Sequence, residues 1–78
     1  MINTVEALLF GAGRPLRLSE IRTLLESDGI SAELSDIKQC INQLEERFEL
    51  SSLEVTEVAS GFRLQIKKVF SPSLTHLW

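Results

Sequence analysis

Few side chains in this chain could do chemistry. Cys40 and His76 are its only thiol and only imidazole, so any nucleophile–base pair or nitrogen–sulfur metal site would have to start from them. One Cys and one His cannot build a zinc site without several carboxylates beside them. Cys40 falls on the apolar side of a predicted helix, where a small buried hydrophobe is its ordinary role. A reactive thiolate would want an electropositive, accessible setting instead. His76 has no cysteine or carboxylate partner near it in sequence and reads as a surface histidine. The glycines of Gly11-Ala12-Gly13 neither follow a strand nor continue as a phosphate-binding loop, so they read as a helix stop. These residues predict no enzyme, no metal and no cofactor.

A second set could contact nucleic acid. A third helix predicted over about residues 36–50 carries Gln39, Asn42 and Gln43, whose amides can read adenine edges. Arg63, Lys67 and Lys68 could hold the phosphate backbone. Against this, residues 36–50 hold two basic side chains and four acidic ones, Asp36, Glu45, Glu46 and Glu49. The whole chain carries a net charge of −3. Binding through phosphates needs a basic face that displaces counterions, and this composition does not advertise one.

The elements that must position these residues follow from periodicity. Residues 2–12 are apolar almost all round: Ile2, Val5 and Leu9 form one stripe, while Leu8 and Phe10 point away from it. Either this helix is sandwiched by the rest of the domain or part of it meets another chain. Gly11, Gly13 and Pro15 end it. Leu18-Ser19 opens a second helix, with Ser19 as N-cap and Ile21, Leu24 and Leu25 at helical spacing; Asp28-Gly29 closes it. Ser35 is the candidate cap of the third helix, whose buried stripe is Ile37, Ile41, Leu44 and Phe48 with Cys40 alongside. After Ser51-Ser52 the period changes to two. Leu53 and Val55 alternate with Glu54 and Thr56, Ser60-Gly61 gives the turn, and Phe62, Leu64 and Ile66 share a face against Arg63, Gln65 and Lys67. Two strands alone are marginal, so this hairpin must pack on the helices. Ser71-Pro72 starts a last helix bearing Leu74, Leu77 and Trp78.

Three helices followed by a hairpin predict an α+β winged helix: a helix-turn-helix core, a β-hairpin wing and a C-terminal helix. Seventy-eight residues, 44% of them apolar, make a single domain. Ending on Trp78 inside a predicted helix, the chain reads as part of a longer protein. A lone cysteine fits a reducing compartment. No apolar run approaches the roughly 20 residues of a spanning helix, and the start lacks a signal-peptide pattern. The expected setting is soluble and cytoplasmic, without membrane attachment.

The motif pair carries a resemblance. Glu6-Ala7-Leu8-Leu9-Phe10 followed by Gly13-Arg14-Pro15-Leu16, and downstream Val58-Ala59-Ser60-Gly61-Phe62-Arg63-Leu64 with Phe70-Ser71-Pro72, resemble the segregation and condensation protein B family. The resemblance covers essentially the whole chain but only the first half of a usual member. It implies two tandem winged helices in the complete protein, and a non-enzymatic accessory role in the bacterial SMC condensin complex. There the family forms homodimers and binds a kleisin subunit, segregation and condensation protein A, and through it SMC. It implies no catalytic residues. Val5 and Leu8 on the first helix, and Phe70, Leu74 and Trp78 near the C-terminus, are the expected interface residues, because apolar side chains beyond the needs of a small core mark partner surfaces. The alternative is a transcriptional regulator that reads DNA through Gln39, Asn42, Gln43, Arg63, Lys67 and Lys68.

Overall fold

A computed structural model of the chain describes residues 1–70. Helix α1 spans Ile2–Ala12, α2 Leu18–Ser27 and α3 Leu34–Arg47; strands β1 (Leu53–Val58) and β2 (Gly61–Ile66) form the hairpin, and a single 3-10 turn covers Lys68–Phe70. The winged-helix layout is present. The proposed C-terminal helix, with Leu74 and Trp78, lies outside the described residues.

The core is built where the period of α3 points. Ile37, Ile41 and Leu44 are fully buried, and Phe48 and Cys40 nearly so. Val5 and Leu9 of α1 and Ile21 and Leu25 of α2 meet them, while Leu16 and Phe62 close the remaining side. Full burial of one such side chain is worth roughly 1.5–3 kcal/mol, so these few residues carry most of the stability of so small a domain. Leu24, grouped with Ile21 and Leu25 by spacing, is 39% exposed instead. It lines the surface between α2 and α1, with Ala7, Leu8 and Gly11.

Both helix starts fall one residue or two before the serines expected to cap them. In α2 the cap position is Arg17, in extended backbone, and Glu20 reaches back so that its Oε1 accepts the Arg17 amide at 3.2 Å. In α3 the cap is Glu33, and Asp36 Oδ2 accepts its amide at 3.0 Å. Each is the return half of a capping box, in which the third helical residue satisfies the cap's own N–H. Ser19 and Ser35 therefore sit inside their helices. At the other end, α1 stops as expected: Gly13 takes φ 66°, the left-handed conformation that relieves the last carbonyls. Helix α3 ends at Arg47 rather than near residue 50, with the chain continuing through a turn whose Glu49 carbonyl accepts Lys67 Nζ at 2.7 Å. A cation at a helix C-terminus is where the dipole favours it.

The hairpin pairs Leu53 with Ile66, Val55 with Leu64 and Val58 with Gly61. Its turn is Ala59-Ser60, neither residue having positive φ, and Gly61 is the first residue of β2 with φ 135°. Gly61 is thus not the turn residue that Ser60-Gly61 suggested. Its reason is a close approach. A Cβ there would stand 2.4 Å from both C and O of Leu16. Immediately beyond, Leu16 and Phe62 exchange backbone hydrogen bonds, 2.8 Å for the Leu16 amide and 2.7 Å for the Phe62 amide. The loop between α1 and α2 therefore adds a short third rung to the wing and locks it onto the helices. Lys38 Nζ, 4.5 Å from the Phe62 ring centroid, ties the same point to α3.

Candidate protein-interaction face

Helix α1 settles why its sequence is apolar on every side. One face enters the core through Val5 and Leu9, with Ile2, Leu8 and Ala12 half-buried around them. The opposite face, Asn3, Ala7, Phe10 and Gly11, is exposed. Phe10 keeps 74% of its surface in water, although full burial of a phenylalanine is normally among the largest apolar gains a chain can make. Nothing in the described residues covers it.

Beside Phe10 lies an open groove of about 330 Å³ between α1 and α2, lined by Ala7, Leu8, Gly11, Ala12 and Leu24, with Leu16 and Arg14 from the connecting loop. Ion pairs border this face on two sides. Arg47 Nη1 meets Glu6 Oε1 at 2.7 Å and Asn3 Oδ1 at 2.8 Å, fastening the end of α3 to α1. Arg14 Nη2 meets Glu20 Oε2 at 2.9 Å. The Glu20 carboxyl is held below its ordinary pKa, first by the hydrogen bond from Arg14 and next by the Arg17 amide.

The residues expected at an interface divide. Val5 is fully buried between the helices and has no surface to offer, so its place is the core: it shares the inward stripe with Leu9, and the outward positions of α1 fall to Ala7, Phe10 and Gly11. Leu8 is half-buried and lines the groove. Phe70 is 41% exposed beside the more exposed Val69. Leu74 and Trp78 lie outside the described residues. Phe10 sits nearly opposite Val5 on the helical wheel, so packing Val5 into the core turns Phe10 outward.

The nucleic-acid set also divides. Gln39, Asn42 and Gln43 are exposed together on the outer face of α3, three and four residues apart, but Glu46 is exposed on that face with them, and Glu45 and Glu49 are exposed nearby. Helix α3 is the element that would enter a major groove, and it would carry those carboxylates toward phosphates. Arg63 and Lys68 are exposed on the wing side, whereas Lys67 is committed to the Glu49 carbonyl. The structure gathers no basic face from these residues.

No catalytic arrangement is assembled among the described residues. Cys40 is a buried free thiol in the core, and no group of three His, Cys, Asp or Glu side chains there could hold a metal ion. No helix of the described residues is long and apolar enough to cross a membrane.

Known proteins share this arrangement. The family profile described as "Segregation and condensation complex subunit ScpB" matches residues 3–78. A relative from Coxiella burnetii, a segregation and condensation protein B homolog, is 35% identical over 74 residues, which are 95% of this chain and 35% of the relative. The chain thus spans about a third of that relative's length. Among solved structures, a dimer of the ScpB N-terminal domain complexed with ScpA peptide superposes with a TM-score of 0.84 at 31% identity, covering 99% of this chain and 93% of that one. ScpB from Mycobacterium tuberculosis gives 0.83 at 15% identity, covering 97% of this chain and 46% of that one. A conserved hypothetical protein from Chlorobium tepidum gives 0.74 at 20% identity with the same coverages. The last two establish likeness of fold.

Proposed function

The chain belongs to the segregation and condensation complex subunit ScpB family, and from that premise we propose that it is a non-enzymatic accessory subunit of a bacterial SMC condensin complex. It acts in chromosome condensation and segregation by self-association and by binding a kleisin, segregation and condensation protein A. The observation that carries this reading is the distribution of surface chemistry. Large apolar side chains are left uncovered, Phe10 on α1 and Val69 beside Phe70 among them, and the helix that would otherwise read DNA presents carboxylates. Exposed apolar area on a small domain is characteristic of protein contact, while an acidic groove-reading helix opposes phosphate binding. The similar N-terminal domain that is a dimer with a bound ScpA peptide supports both proposed partners.

The chain is the N-terminal winged-helix unit of a two-unit protein in this reading. Matching 46% of the Mycobacterium tuberculosis chain supports that arrangement. Its setting is the cytoplasm, at the nucleoid through the complex.

The test is titration of the chain with a synthetic kleisin segment by calorimetry, alongside a fluorescent random duplex at low salt. Peptide binding without duplex binding is expected. Duplex binding that falls steeply with salt, and is lost in Arg63→Glu/Lys68→Glu, would overturn this reading in favour of a DNA-binding regulator. Those two positions are chosen because Lys67 supports the end of α3, so reversing its charge would confuse folding with binding.

A further inference from the structure

The wing has one edge that the rest of the fold leaves open. The Ser52 carbonyl accepts the Lys67 amide at 2.8 Å, which sets the phase of the ladder: Ser52 faces β2, and alternate residues turn their backbone the other way. Leu53, Val55 and Glu57 therefore point their amides and carbonyls outward from β1. Ser51 Oγ accepts the Leu53 amide at 2.9 Å. Val55 and Glu57 have no backbone partner on that side among the described residues, since the sheet ends at β1. The opposite edge is different. Phe62, the cross-strand partner of Glu57, gives its outward groups to Leu16, and α1 packs against β2. An unpaired row of N–H and C=O groups is a template for another strand.

Charge decides which strand. From Glu45 to Glu57 the chain also carries Glu46, Glu49 and Glu54, against one cation, Arg47, which is closed by Glu6. On β1 itself Glu57 is exposed and Glu54 half-buried. Neither forms an ion pair among the described residues, and Glu54 has only the neutral amide of Gln65, at 2.8 Å. A second copy is a poor third strand. Antiparallel pairing about the middle of β1 would set Glu54 of one copy opposite Glu57 of the other, and like charges facing each other across strands are destabilising. A basic strand is drawn in by the same carboxylates and pairs with them.

Spacing narrows the partner further. Glu54 and Glu57 are three residues apart and project from opposite faces of the sheet, with half-buried Val55 on the Glu57 face. The complementary strand carries a cation for each face and an apolar residue beside Val55.

We propose that β1 is a docking edge for an extended basic segment of a partner protein. The segment adds to the wing through the backbone of Val55 and Glu57 and sets Lys or Arg side chains against Glu54 and Glu57. This edge lies across the hairpin from the one that α1 covers, and the kleisin and self-association readings do not depend on it.

The probe is a fluorescein-labelled peptide repeating lysine-valine-threonine, whose lysines alternate between the two faces of a strand. Its controls are a version with glutamate for lysine and a version N-methylated on alternate residues, which cannot complete the ladder. Fluorescence anisotropy at low salt measures binding to the chain, and amide hydrogen exchange by NMR locates it. The lysine peptide is expected to bind at least about tenfold more tightly than either control, because main-chain bonds supply the affinity and side chains the specificity. The Val55 and Glu57 amides should gain protection. Glu57→Pro should weaken binding at least as much, since it removes an amide directed out of the sheet, where an edge strand tolerates proline; circular dichroism reports that it is folded. Glu57→Gln keeps that amide and should weaken binding less, and Glu54→Lys/Glu57→Lys should shift the preference to the glutamate peptide. Absence of binding, equal binding of the N-methylated peptide, or protection that leaves Val55 and Glu57 unchanged overturns the proposal. Protection of these two amides that grows with the concentration of the chain alone assigns the edge to a second copy, and protection by a kleisin segment assigns it to the kleisin; either overturns the proposal as well.

Discussion

Leu16 and Phe62 hold each other by both backbone hydrogen bonds, and Gly61 is what lets them come so close. Replacing Gly61 by alanine places a Cβ 2.4 Å from the Leu16 carbonyl and also strains a φ of 135°. Backbone, not a flexible side chain, stands in the way. Gly61→Ala is expected to cost about 2–4 kcal/mol, the clash adding to the usual 1–3 kcal/mol of a forbidden backbone conformation. Urea unfolding monitored by circular dichroism measures it. A change under about 0.5 kcal/mol would show that the wing can shift away from Leu16 at little cost.

Ile41 is fully buried at the middle of the α3 stripe. Ile41→Ala removes most of its side chain and leaves a cavity, an expected loss of about 2–5 kcal/mol. Domains of this size hold only on the order of 5–15 kcal/mol in total, so the variant should show a markedly lower urea midpoint. Leu50→Ala is the contrast, because Leu50 is wholly exposed; its effect in the monomer should stay within about 0.5 kcal/mol.

The Arg47–Glu6 pair joins α3 to α1 across the chain at 2.7 Å, with both side chains more than a third exposed. Exposed pairs are weak, so a double-mutant cycle of Arg47→Ala and Glu6→Gln should return a coupling of about 0.2–1 kcal/mol. The coupling should shrink in molar salt, where the screening length falls to about 3 Å. An undiminished value at high salt would mean that the contact works through packing of the arginine stem.

Glu20 gives a pH signature. Its folded pKa lies below the ordinary 4.5 because Arg14, and then the Arg17 amide, favour the carboxylate. The folded form therefore binds this proton less readily than the unfolded chain. The resulting stability is fully present above 4.5 and is lost as pH falls through the lower, folded value. Wild type should exceed Glu20→Gln in melting temperature at neutral pH, with the gap closing as the solution is acidified below the ordinary carboxylate range. A gap that widens on acidification would contradict the assignment.

Different parts of this molecule were legible in the sequence for different physical reasons. The stripe Ile37, Ile41, Leu44 and Phe48 has polar residues around it, so its period declares which side is buried. In α1 every side is apolar, and the choice of Val5 over Phe10 for the core belongs to packing against α3 and β2. The helix starts were obscured by Ser19 and Ser35, good caps by type. The acids three residues beyond Arg17 and Glu33 were the better signal, and they act through the backbone amide of whatever residue stands at the cap. Gly61 could not be read locally, because its neighbour Leu16 is distant in sequence. The interface candidates suffered the same way: surplus apolarity pointed to α1, but only the fold turns Phe10, Ala7 and Gly11 outward together.

The Leu16–Phe62 rung also bears on how the chain acquires its shape as it leaves the ribosome. Helices α1, α2 and α3 are synthesised before Phe62, so the Leu16 amide and carbonyl emerge without their strand partner and stay hydrated until the wing arrives. Closing so distant a contact is the entropically slow part of folding a chain otherwise rich in local helical contacts. Helices α1 to α3 can form early, but their arrangement is sealed by Phe62, which is made after all of them.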